Sequence, residues 1–479
     1  MATVDDVKGL LDQVVPAGVK AGETGGFVVG VWHAGEQWDF AFGSANLNTA
    51  APMTPDTGWL LGSVSKVLTT TALLRFVERG EVDLDEKVVT YLPDLRIGKN
   101  GAEQALTVRS LVNHTNGIDA DTYMPTREFG PRAVEEYVSG LVDIDVLFDV
   151  EELLSYSNAG FVLAGRILEV ITGKPYNDIL QQEIFDPIGM TSSSTSPDQA
   201  ILRRTAVGTH VDGKGAAAAT EMFRLPVSGA PAGSTQIVTT GDLLAFARTH
   251  LNGGVAPNGM RVLSADLVAA MQTPSFELVI ADFPVRVGLG WFLGDLGGAT
   301  TLGHGGGSPG GLSYLSVLPE HDLAVAAFGT GEAAPLSAGV APLIAATVVG
   351  LTASSNFQPD LTPGDLTPYA GSYRQFQQRL DVTTDGDVLV LNESFEPWDD
   401  EHLRFLSGYI GPFAAGTNTK SDPKRLTSVG DGVFVGADAN GNASSSGSGL
   451  AGVVSFHLTD GDGRARYLFQ GARMARRID

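Results

Sequence analysis

A hydroxyl and an amine three residues apart, at the head of an apolar run, constrain this chain more than any other feature. Within residues 59–80, Ser63 and Lys66 open a segment in which Val67, Leu73, Leu74 and Val77 recur at helical spacing. Positions i and i+3 of a helix share a face, so Ser63 Oγ and Lys66 Nζ are expected to point into one cleft while the apolar residues anchor the helix below. The positive end of the helix dipole falls at Ser63, where an attacking oxygen develops negative charge. Gly80 is the expected C-terminal stop. A bare S-x-x-K is weak evidence, because it is more often a solvated lysine beside a capping serine. The chain holds a second copy, Ser421 to Lys424, in a polar stretch where Pro423 opposes a helix. That copy is set aside.

The length of 479 residues exceeds one ordinary core, so two or three domains are expected. With 43% hydrophobic and 18% charged residues the composition is that of a folded soluble protein. A net charge of -24 argues against nucleic acid or an anionic membrane as partner and leaves a solvated acidic surface. The absence of cysteine excludes disulfides, thiol nucleophiles and iron-sulfur ligation. No basic region followed by an apolar run marks the start, and no later run is long enough to span a bilayer, so a cytoplasmic location is expected.

Along the chain, residues 5–15 read as a short amphipathic helix, and residues 26–32 and 38–42 as a hairpin around 33–36. Residues 106–118 predict a capped short helix ending at Gly117; residues 131–142 and 160–171 predict two more, the latter closed by Gly173 and Pro175. Strands are expected at 288–292, 312–318 and 323–328. A linker rich in Thr, Ser, Pro and Gly, at about 351–365, changes the texture of the chain. Beyond it, 379–383 and 388–391 about the turn Asp385-Gly386 predict a hairpin, and 441–449 a mobile loop. Arg473, Arg476 and Arg477 are expected in an exposed tail, with a substrate-carboxylate contact as the minor alternative.

An acyl-transfer serine needs a base, a proton route to the leaving group and N–H donors for the oxyanion. Ser63 and Lys66 offer nucleophile and base, provided the amine is desolvated, since a free lysine with a pKa of about 10.4 is mostly protonated at neutral pH. Tyr156 could share the proton work, and Asn158 could bind a substrate carbonyl and Lys66.

These residues, with the segment 107–118 containing His114-Thr115-Asn116-Gly117, Tyr156-Ser157-Asn158-Ala159-Gly160, the stretch 184–190, and Gly303-His304-Gly305-Gly306 followed by Pro309-Gly310, resemble the serine β-lactamase and penicillin-binding-protein superfamily in its class C and D-aminopeptidase/esterase branch. The resemblance covers about residues 25–335. It implies that Ser63 is the acylated nucleophile, that Lys66 and Tyr156 are its acid/base partners, and that Asn158 is the second-motif amide. It also implies that His304, Gly305 and Gly306 line the opposite wall and that the backbone N–H groups of Ser63 and Gly307 form the oxyanion hole. Many relatives carry Lys, or His followed by Thr, at the third motif. Here Gly305 has no hydroxyl and a histidine is largely neutral near pH 7, which weakens carboxylate recognition there.

Two other motifs are decoys. Residues 306–310 match G-x-S-x-G, but Pro309 has no N–H to donate to an oxyanion. Gly305, Gly307 and Gly310 fit G-x-G-x-x-G without a surrounding βαβ unit. No H-E-x-x-H or close Cys or carboxylate cluster is present, so no metal and no cofactor is expected.

The fold that the resemblance implies is α+β: a β-lactamase/transpeptidase-like domain over 1–350, with an antiparallel sheet flanked by helices and a helical subdomain, then a linker over 351–365 and, over 366–479, a part that resembles the lipocalin-like β-domain attached to D-aminopeptidases and is expected to cover the cleft. The activity expected is that of a serine acyl-enzyme hydrolase or acyltransferase on an ester, thioester or amide of a peptide-like substrate, D-configured forms included. The alternatives are a thioesterase that macrocyclises a peptide by amine attack, a carboxylesterase, and an acylated binding or sensor protein without turnover.

Overall fold

The computed structural model describes residues 2–98, 100–119, 130–212, 214–280, 284–352, 364–397, 400, 402–403, 409, 421–430, 432–437 and 452–479. Most of the expected linker, and the loop expected at 441–449, lie outside the described residues.

Nine strands form one antiparallel sheet in the spatial order Ala51–Pro52, Glu36–Asn46, Gly26–His33, Leu323–Thr330, Gly311–Leu318, Ala299–Ser308, Phe292–Leu296, Val285–Val287 and Phe276–Leu278. The first long strand thus pairs with its hairpin partner and also with a strand some 300 residues later, Phe27 opposite Gly329. Its sequence, GFVVGVWH, is too apolar for a one-faced strand, and the period of two explains why. Phe27, Val29 and Val31 enter a core shared with the helices Val4–Val14 and Leu336–Val349, whereas Val28 enters the larger core on the other face. Leu323, Val325 and Ala327 follow the first set, and Ala324, Ala326 and Phe328 the second. Helices therefore cover both faces of the sheet.

The larger core surrounds helix Ser65–Glu78, which is buried almost all round. Its Thr69, Thr70 and Thr71 hydroxyls donate to carbonyls one turn back (Ser65, Lys66 and Val67) at 3.0, 2.9 and 2.8 Å, so three polar side chains sit in a core without an unmet donor. Gly80, at φ +73°, ends the helix as expected.

The strand expected at 288–292 is displaced. Gly290 adopts φ +78° and Gly288 N–H donates to Trp291 carbonyl oxygen, making a turn, and the strand runs Phe292–Leu296 instead.

After the sheet-bearing unit, eight strands close an antiparallel barrel: Gly371–Gln375, Gln378–Asp385, Val388–Phe395, Lys424–Gly430, Val433–Gly436, Val453–Thr459, Ala465–Gln470 and Arg473–Arg477, with Tyr373 opposite Arg477 at the seam. Tyr373, Leu380, Leu389, Phe434, Phe456 and Leu468 pack its interior, so the barrel offers its neighbours an outer surface and loops. The expected exposed tail is corrected here. Arg473, Arg476 and Arg477 stand on the barrel's closing strand, where Arg477 donates to the carbonyls of Pro368, Ala370 and Ala465.

Candidate active site

The site is assembled from a tight turn, two loops, a sheet strand and the barrel. Strand Trp59–Leu60 pairs with Ile237–Val238, and Leu61 N–H donates to Gln236 carbonyl oxygen at 2.8 Å, fixing the entry to a 3₁₀ turn at Gly62–Val64. Ser63 is on that turn and Lys66 is in the first α-helical turn after it. Gly62 requires glycine twice over: φ is +61°, and a Cβ would lie 2.4 Å from Gly307 carbonyl oxygen.

Lys66 Nζ lies 3.1 Å from Ser63 Oγ and 2.8 Å from Ala232 carbonyl oxygen. Its side chain is fully buried. The amine also sits 4.8 Å above the centroid of the Tyr156 ring and 5.6 Å above that of Phe161. Ser63 is half-buried and opens into a cavity of ≈ 280 Å³ that Tyr156, Asn158 and Gly307 also line. Asn158 begins helix Asn158–Thr172, whose N-cap Ser157 accepts from Gly160 N–H.

His304 and the glycines after it stand on strand Ala299–Ser308, and face and distance from the cavity sort them. Gly307 lines the cavity. Gly306 does not: a Cβ there would meet Leu61 carbonyl oxygen at 2.2 Å and Ser313 Oγ at 2.3 Å, so this glycine lets the nucleophile turn lie against the sheet. Gly305 is exposed on the strand beside Tyr314. The expected cavity wall of three glycines is therefore reduced to one. His304 is buried, its Nδ1 donating to Gly305 carbonyl oxygen at 2.6 Å. Burial above all, and then the Lys66 charge, drive its pKa down to about 3, so the imidazole is neutral and bears no cation for a carboxylate.

A cation arrives from elsewhere. Arg473, on the closing strand of the barrel, lines the same cavity and holds its guanidinium 4.9 Å from the Tyr156 ring centroid. The barrel grips this region through its backbone too. Tyr156 N–H donates to Ala472 carbonyl oxygen at 2.7 Å, and Met474 N–H to Ser155 Oγ at 3.1 Å. The other barrel loop at the cavity, Gln375 to Gln378, is held by Phe376 N–H donating to both oxygens of Asp119 at 2.8 and 2.9 Å. Sequence reasoning missed Asp119, and it gave the cavity role of Arg473 only as the lesser reading. Residues 473–477 show no polar–apolar alternation, so no periodicity marked Arg473 as part of a strand.

The decoy serine is accounted for: Ser308 Oγ donates to Gly311 carbonyl oxygen at 3.2 Å within a hairpin turn. Among the described residues no group of His, Cys, Asp and Glu is placed to hold a metal, and no helix is long and apolar enough to cross a membrane.

Comparison with known proteins places the chain by family and fold. A family profile named Beta-lactamase matches residues 11–348. Penicillin-binding protein 4 of Amycolatopsis lactamdurans is 31% identical over 357 residues, covering 73% of this chain and 93% of that protein. Among solved structures, SurE superposes with a TM-score of 0.74 at 24% identity over 99% of both chains, barrel included. The D-amino acid amidase of Ochrobactrum anthropi SV3, complexed with L-phenylalanine amide, superposes with a TM-score of 0.57 at 27% identity over 68% of this chain and 90% of that one. A tight turn that sets Ser63 beside a buried lysine, on a β-lactamase-like sheet, stands with these likenesses, which make the chain an enzyme: it belongs to the Beta-lactamase family of serine hydrolases and penicillin-binding proteins.

Proposed function

We propose that the protein forms an acyl-enzyme on Ser63 from a peptide-like amide, ester or thioester, D-configured residues included, and passes the acyl group to water or to an amine. The observation that carries this reading is the 3.1 Å approach of a fully buried Lys66 amine to Ser63 Oγ at the floor of a cavity. As Ser63 Oγ bonds to the scissile carbonyl carbon, its proton passes to Lys66, and the carbonyl oxygen becomes an oxyanion facing the N–H groups of Ser63 and Gly307. Tyr156, under the fields of Lys66 and Arg473, returns a proton to the leaving group as its bond to carbon breaks. The second half runs the same route in reverse, with water or an amine as attacker. Neutral His304 packs beside Tyr156, ring centroids 6.1 Å apart. The likeness to a D-amino acid amidase supports a D-configured acyl residue.

Amine attack within one chain, closing a peptide ring, is a second reading. Barrel residues Gln375 to Gln378 and Arg473 line the cavity, and exclusion of water by such a cover would favour this reading.

Intact-protein mass after brief exposure to a p-nitrophenyl ester tests the first reading. An acyl adduct on wild type and none on Ser63→Ala is expected; equal ester turnover by both would assign the nucleophile elsewhere. Peptide thioesters ending in a D- or L-residue then separate the two fates. Only linear acid from every substrate would rule out cyclisation.

A further inference from the structure

His114 combines three costly features. It is a non-glycine residue at φ +64°, its imidazole is buried, and its Nε2 has no hydrogen-bond partner among the described residues. A left-handed backbone and an unmet buried donor each cost about 1–3 kcal/mol, so the neighbourhood must over-determine this arrangement. The gain is concentrated around Tyr156. Ser155 N–H donates to the carbonyl oxygen of His114 at 3.0 Å, and Ser157 N–H donates to its Nδ1 at 3.1 Å. One residue thereby takes the N–H groups on both sides of Tyr156. The imidazole also stacks on the phenol ring, centroids 4.6 Å apart and planes 30° apart, with Phe161 and Phe292 at 5.3 and 5.6 Å supporting it.

We propose that His114 is a positioning residue for Tyr156, holding the tyrosine loop through its Nδ1 acceptor and its carbonyl while its ring supports the phenol. Acceptance at Nδ1 needs a neutral ring with the proton on Nε2. The environment supplies that: burial, and then His304, Lys66 and Arg473, lower the pKa of His114 well below the ordinary value. Tyr156 N–H is taken by Ala472 of the barrel, so three consecutive N–H groups of this loop are held by two units of the molecule. The inference rests on Tyr156 moving the proton in acyl transfer.

Two variants separate the contributions. His114→Asn keeps an oxygen close to the place of Nδ1 and tolerates left-handed backbone. His114→Phe keeps a ring and removes the acceptor. Acylation by an activated ester is followed by quenched intact mass, alongside the dissociation constant of an unreactive substrate analogue. The expected result is a fall of about thirtyfold in the acylation rate constant for His114→Phe, within about fivefold of wild type for His114→Asn, and an unchanged dissociation constant in both. Wild-type acylation by a folded His114→Phe, or equal losses in the two variants, would overturn the proposal.

Nitrogen-15 spectra of the wild type decide the matter without any variant, even if His114→Phe fails to fold. A bare Nδ1 and a protonated Nε2 are expected, and a protonated Nδ1 overturns the proposal. Unimpaired acylation by Tyr156→Phe would instead remove the role of Tyr156 on which the proposal rests. That failure is told apart because the His114 tautomer is read independently of activity.

Discussion

The two walls of the cavity are built in opposite ways. The nucleophile wall comes from one stretch of chain: Ser63 and Lys66 are three residues apart, and a single turn and helix set their geometry. The facing wall is assembled from barrel loops near residues 375–378 and 471–474, brought against residues 118–119 and 155–156 by contacts that span hundreds of residues. Leu153 and Leu154 of the catalytic unit share one apolar core with Tyr467, Phe469 and Met474 of the barrel. The barrel is thus joined to the tyrosine loop by packing and backbone hydrogen bonds, whereas it meets the nucleophile turn chiefly across the cavity. Chemistry that depends on Ser63 and Lys66 should tolerate change in the barrel; chemistry that depends on Tyr156 and on substrate shape should not.

The strongest way to break this contrast is to damage the nucleophile wall without touching a reactive group. Gly306→Ala forces a Cβ against Leu61 carbonyl oxygen and displaces the turn that carries Ser63. Acylation is expected to fall at least about a hundredfold, since displacements of this size near a reacting group remove orientation. A variant acylating at the wild-type rate would mean that the turn is adaptable.

Changing the barrel wall should be milder and selective. Arg473→Met keeps an apolar stem over Tyr156 and removes the charge. For substrates with a free carboxylate near the scissile bond, kcat/KM is expected to fall about tenfold more than for their amides, the worth of one charge-assisted contact. Equal losses for both would show that Arg473 serves Tyr156 alone.

Acid should separate the units themselves. His114, His250 and His304 lie in the sheet-bearing unit and His457 in the barrel, and burial lowers the pKa of each, with His250 and His457 at about 4 and His304 at about 3. Unfolded rings take up protons from the ordinary value of 6.5 downward while the folded ones stay neutral. Stability is therefore full above pH 6.5 and is lost as the pH falls towards 4 and then 3. Since His114, His250 and His304 all act on the sheet-bearing unit, hydrogen exchange at pH 4.5 should show strands Ala299–Ser308 and Leu323–Thr330 losing protection before Val453–Thr459. Simultaneous loss would mean that the two units unfold as one.

The smallest effect expected is at the second latch. Asp119→Asn removes the charge that receives Phe376 N–H, and should cost about 1 kcal/mol in thermal or urea unfolding with acylation unchanged. A large fall in acylation would show that the 375–378 loop does more than cover the cavity.

The pairing of Ser63 with Lys66, the helix closed by Gly80, and the hairpin at 26–42 were legible because each rests on spacing within a few turns or strands. Asn158 and Tyr156 were legible as motif positions, and the neutrality of His304 followed from its residue type and was deepened by burial. The strand placed at 288–292 was misread because Leu289, Trp291 and Phe292 were weighed above Gly288 and Gly290, the glycines that make the turn. The arginines at 473–477 looked like a tail because a charged run at a chain end is solvated unless something pairs with it. Here the first strand of the barrel does, with Tyr373 opposite Arg477. Gly306 could not be sorted from Gly307 without the pleat of the strand, nor Gly305 without its place along the strand beside Tyr314, away from the cavity.

Local spacing and residue chemistry by themselves singled out the Ser63–Lys66 pair and a β-rich end of the chain, and the resemblance carried by the motifs supplied the sheet-and-helix class and the barrel. Only the tertiary structure decided that a barrel arginine stands at the cavity, that Asp119 and Ala472 tie the barrel to the catalytic unit, and that His114 spans Tyr156. The physical reason is range. A helix or hairpin is specified by neighbours in sequence, but a cavity wall formed by the barrel depends on loop closures of hundreds of residues that no periodicity records.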